Sequence, residues 1–148
     1  MQAILLSVHV VAGILFVGPI AVATSLFPRY APVGGLSADP DHNDGVARLL
    51  HRITRVYGVL ALAVPAVGLA LAGVQGRSTE VWIIAAMVLT AIAGGLLAVQ
   101  IAPRQQKALA APGAESELRT LGMLTGVFNL LWVVVVVLMV VHPGSRYV

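Results

Sequence analysis

The chain contains no cysteine, which excludes disulfides, thiolate metal ligands and a cysteine nucleophile. Charge is nearly as scarce. Only 10% of residues are Asp, Glu, Lys or Arg, against about 25% in soluble domains. The six acidic residues all lie outside the long apolar runs. That argues against a carboxylate proton relay or a cation-coupled transport core inside them. No Arg ladder suggests voltage sensing. A Gly-rich phosphate loop, an H-E-x-x-H motif and a G-x-S-x-G motif are likewise missing.

What remains is hydrocarbon. Of 148 residues, 59% are hydrophobic, and the mean hydropathy is +0.95. Four stretches, 1–28, 56–76, 81–103 and 120–145, carry no Asp, Glu, Lys or Arg. A spanning helix needs about 20 apolar residues at 1.5 Å rise each, so every stretch qualifies. Barrel strands alternate over about 10 residues, and these stretches do not alternate. The expectation is an all-α, polytopic membrane protein forming one domain. Its four transmembrane helices fall at approximately 3–27, 46–74, 79–109 and 116–142, in an antiparallel up-down bundle. "AVATS", residues 21–25, offers small residues at signal-peptidase spacing. The leading "MQA", however, has no Lys or Arg and the apolar run is too long for a signal peptide. The first run is therefore expected to be retained as a helix.

The formal charge of +3 sits beside apolar runs, which points to lipid headgroups and away from nucleic acid. Arg29, Arg48, Arg52, Arg55, Arg104, Lys107 and Arg119 flank the first and third loops; only Arg77 and Arg146 lie on the opposite side. The positive-inside rule then puts loops 1 and 3 in the cytoplasm and both termini outside, N-out/C-out, in a bacterial cytoplasmic membrane. Loop 1 is rich in Pro, Gly and Asp and is read as irregular. Asp44 is a candidate N-cap for the second helix, and Ser78 or Thr79 with Glu80 for the third. Gly18-Pro19 and Pro65 should kink helices 1 and 2.

Polar residues inside the spans are the candidate functional positions. His9 interrupts "ILLSVHVVAGILF", about 8 Å below the start of the run. Gly13 stands at i+4, where a missing side chain would let a flat macrocycle approach. His142 ends the fourth helix on the same side, and Met87 lies at a comparable depth in the third. His9, Gly13, Met87 and His142 thus form a candidate cofactor set, with haem b as the group considered. A copper or zinc ion between outer histidines is a further option, and hydrogen bonding of His9 to a neighbouring helix is the ordinary alternative. In "RLLHRITR", Arg48, Arg52 and Arg55 share a basic face beside His51, suited to lipid phosphates or to an anion-binding mouth. His42, in "DPDHND", is a solvated loop residue or a weak metal ligand. Gly122, Thr125, Gly126 and Asn129 make a small, polar stripe on the fourth helix, suited to close helix packing and interhelical hydrogen bonds. The valine run beyond it should face lipid. Trp82 reads as an interface anchor.

"VHVVAGILFVG", "VWIIAAMVLTAIAG", the Pro-containing end of helix 3 and the closing "LMVVHPG" resemble a family of small four-helix bacterial integral membrane proteins of unknown function. More distantly, the His-small-Gly opening is similar to copper-resistance CopD-type proteins and HemJ-type protoporphyrinogen oxidases. The HemJ-type resemblance implies a haem ligand at His9. It also implies an intramembrane lysine, whereas the single lysine here, Lys107, lies in a loop. Two functions follow as expectations. The first is a scaffold or accessory subunit in the lipid bilayer, as a homo-oligomer or within a larger membrane complex. The second is a haem- or metal-binding redox protein using His9. No reaction is named by any residue pattern.

Overall fold

The computed structural model describes residues 1–33 and 43–143. His42, the acidic loop around it and Arg146 lie outside the described residues. Four helices are long and apolar enough to cross a membrane: α1 (Gln2–Tyr30), α2 (Asp44–Val74), α3 (Val81–Ala110) and α4 (Glu115–Val141). Only 17–22% of each apolar window is buried inside the protein. Val133, Val136, Val137 and Val140 are exposed while Val135 between them is sealed. Surfaces this apolar are not tolerated over such an area in water. The chain is therefore of the multi-pass membrane class.

Helix ends follow local chemistry. Asn43, not Asp44, caps α2: its Oδ1 accepts from the Val46 N–H at 3.1 Å. Asp44 is already in the first turn and pairs with Arg48 at 2.8 Å. A carboxylate there still complements the positive helix end. At α3 the cap position falls on Glu80, whose side chain makes no capping bond and turns to Trp82 and Arg77 instead. The expected Ser/Thr cap is not made. His142 ends α4 in the left-handed conformation, φ 49°, a position most often taken by glycine.

Three prolines coincide with three irregularities. A proline has no N–H, and its ring crowds the carbonyl four residues earlier. Ahead of Pro19, α1 widens into a π turn over Gly13–Val17. Ahead of Pro103, α3 does the same over Leu96–Ile101. Before Pro65, α2 breaks at Ala61 and Leu62. The Ala61 carbonyl, which Pro65 cannot serve, takes the Val64 N–H at 3.0 Å instead. The irregularities in α1 and α2 fall at the prolines where kinks are expected; the one in α3 is additional.

The main core comprises Ile20 and Phe27 of α1, Ala47 and Leu50 of α2, Ala93, Leu97 and Ile101 of α3, and Leu121 and Phe128 of α4. It lies toward loops 1 and 3, where Val33 bridges to Gly113 through the backbone. At the other end, the first half of α1 leans on the second half of α2. Lipid is as apolar as these side chains, so burial alone does not hold helices together. Close packing and buried hydrogen bonds do.

Candidate functional site

His9 is 8% exposed and is seated against α2. Its Nδ1 lies 3.0 Å from the Val64 carbonyl oxygen. A carbonyl only accepts, so Nδ1 carries the proton and donates. The ring fits because residue 68 is glycine: a Cβ there would stand 2.8 Å from His9 Cε1 and 3.2 Å from Nδ1. The glycine that makes room for His9 is thus Gly68, across the helix interface. Gly13, one turn along α1, has no atom within 4 Å of where its Cβ would be. No sequence pattern links residues 9 and 68. Val64 and Gly68 lie on either side of Pro65, just after the break of α2 at Ala61 and Leu62.

The rest of the outer set is held elsewhere. His142 packs edge-on against Trp82, ring centroids 4.5 Å apart. Trp82 Nε1 donates to Glu80, and Arg77 Nε lies 3.3 Å from the same carboxylate. Trp82, expected as an interface anchor, therefore ties the start of α3 to the end of α4. Met87 is half-buried in α3. His9 and His142 have different neighbours. Among the described residues, no group of three or more His, Asp or Glu side chains is placed to hold a metal ion.

The basic stretch of α2 separates by face. Arg48, Arg52 and Arg55 point outward, and Arg48 is paired with Asp44. His51 points inward, its Nδ1 3.1 Å from Gln105 Oε1 of α3. Gln105 is fully buried, and its Nε2 has no hydrogen-bond partner among the described residues. His51 thus joins α2 to α3 as an interhelical polar pair, while the arginines beside it stay exposed. Gln105 went unnoticed in the sequence because "RQQK" beside a loop reads as a solvated helix end. Its burial against His51 of α2 is a tertiary contact that the local sequence does not mark.

The α4 stripe also divides. Thr125, 2% exposed, places Oγ1 3.4 Å from the Thr24 carbonyl. Asn129 Nδ2 donates to Ser25 Oγ at 3.2 Å. Both bonds join α4 to α1, as interhelical hydrogen bonding requires. Gly122 and Gly126 have nothing within 4 Å of a notional Cβ. These two glycines do not pack the bundle; they leave a shallow open strip on its outside.

The chain matches no known protein family, no curated protein and no solved structure. The class that fold and site define is a multi-pass helical membrane protein whose interior polar groups join one helix to another.

Proposed function

We propose that the chain is a non-catalytic accessory or scaffold subunit of the bacterial cytoplasmic membrane. Its four helices run antiparallel, N-out/C-out, and it associates through the open strip at Gly122 and Gly126. The observation that carries this reading is how the polar interior is used. His9, His51, Thr125 and Asn129 each hydrogen-bond a neighbouring helix, while the small-residue face of α4 is left open. Gly-xxx-Gly at an open face lets a second backbone approach closely. Energy transfer between donor- and acceptor-labelled copies in vesicles tests it. The parent should exceed the level of random mixing, and Gly126→Leu should return it to that level. Transfer at the random level in the parent would remove self-association.

A second reading keeps His9 as an axial haem ligand, and one observation favours it. Histidine ligands commonly donate their other ring N–H to a backbone carbonyl, as Nδ1 does to Val64. That bond leaves Nε2 with the lone pair a metal would take. Absorption spectra of the protein in mild detergent, oxidised and then reduced, decide it. A Soret band lost in His9→Ala supports the haem reading. A colourless protein that stays colourless after incubation with haem eliminates it.

A further inference from the structure

A groove of about 370 Å³ runs along the bundle between α2, α3 and α4. Arg55 and Ala102 line one end, and Leu62, Thr90 and Trp132 line the other, with Gly94 between them. Both backbone irregularities of this region border it: Ala61 and Leu62 from the α2 break, and Leu97 and Ala98 from the α3 π turn. The backbone irregularities that precede Pro65 and Pro103 thus border a gap between these helices. The size is at the lower end of ligand pockets, about 300–1,000 Å³.

Its ends are chemically different. Arg55 and Ala102 stand where the uncharged runs of α2 and α3 meet the Arg-rich loops. Among the described residues no acidic side chain lines the groove, and Arg55 makes no ion pair. From Ala102 to Thr90 the helix rises about 18 Å, close to the roughly 15 Å depth of one leaflet's hydrocarbon. A cation at the headgroup level above one leaflet's depth of apolar groove has the dimensions and polarity of a phospholipid.

We infer that this groove holds an acyl chain of an anionic phospholipid from the leaflet on the Arg-rich side, with its phosphate region at Arg55. The inference rests on the membrane placement but not on the scaffold role. Phe128 and Trp132 face the groove from a side of α4 turned on average about 120° from Gly122 and Gly126, so lipid and a helix partner meet different faces of that helix.

Tryptophan quenching by brominated lipid tests it. The chain has two tryptophans, so Trp82→Phe leaves Trp132 as the only reporter. This protein is placed in phosphatidylcholine vesicles carrying an equal small share of brominated phosphatidylglycerol or brominated phosphatidylcholine, and incorporation is read first by co-flotation. Brominated phosphatidylglycerol should be about fivefold more effective, the preference expected of one arginine at the headgroup level. Arg55→Gln should remove that preference and leave the residual quenching. Gly94→Leu, at a position with open space for its side chain, should lower quenching by both lipids. Equal quenching by the two lipids, or quenching untouched by Gly94→Leu, would reduce the groove to ordinary annular contact and overturn the site. Stronger quenching by a brominated fatty acid than by the phospholipid would also overturn it, in favour of a single-chain carboxylate. A protein that fails to float with vesicles overturns the membrane placement and this site with it.

Discussion

At the scale of single residues, the imidazole of His9 and the missing side chain of Gly68 are one unit. The ring fills the notch and its Nδ1 holds the Val64 carbonyl, so α1 and α2 are joined by shape and by a hydrogen bond at one point. Gly68→Ala should force the ring from its seat at a cost of about 1–3 kcal/mol, the usual range for overpacking. The matched change Gly13→Ala, which meets open space, should leave stability unchanged or slightly raised, since alanine is the better helix former. Detergent-exchange unfolding of the two variants separates them. A Gly68→Ala protein as stable as the parent would show that the contact is not limiting. Combining Gly68→Ala with His9→Ala should then cost less than the two single changes added, because the clash disappears with the ring.

At the scale of elements, each of three prolines follows a break in the regular helical hydrogen bonding. Pro65 leaves the Ala61 carbonyl without its usual donor, and the chain answers with a tighter bond to Val64. Pro65→Ala restores an N–H there. Amide hydrogen exchange at residues 61–65 should slow as the break heals, and the His9 seat at Val64 should loosen with it. Unchanged exchange would mean that packing, not the proline, holds the break. In α3 the π turn before Pro103 is followed, four residues after it, by Gln105, which bonds His51. A buried amide with one unpartnered end costs stability. Its value here lies in joining α2 to α3, where the surrounding hydrocarbon supplies no attraction between helices.

At the scale of the whole molecule, the sealed core sits toward loops 1 and 3 and the arginines gather at the same end. The other end relies on the His9 seat and on the Trp82–His142 contact. The distribution of Lys and Arg makes a directional prediction. Because the chain has no cysteine, single replacements report cleanly. Ser78→Cys should react with an impermeant maleimide in intact cells, and Ser116→Cys only after permeabilisation. The opposite pattern would invert the protein and move the Arg55 end of the groove to the outer leaflet.

The sequence by itself determined that four helices form, each long and apolar enough to cross a membrane. These depend on the length and continuity of the apolar runs, which the backbone's need for internal hydrogen bonds in hydrocarbon turns directly into helices. It also marked two of the three backbone irregularities, since a proline acts on its own turn. It could not say which glycine His9 would meet, that His51 would turn away from Arg48, Arg52 and Arg55 toward Gln105, or that Gly122 and Gly126 would stay open while Thr125 and Asn129 were used. Those outcomes depend on how far each helix rotates about its axis and which neighbour it leans on. In a span apolar on nearly every side, periodicity carries little information about rotation, because lipid accepts any face. A few interhelical hydrogen bonds and close contacts make that choice only in the folded bundle.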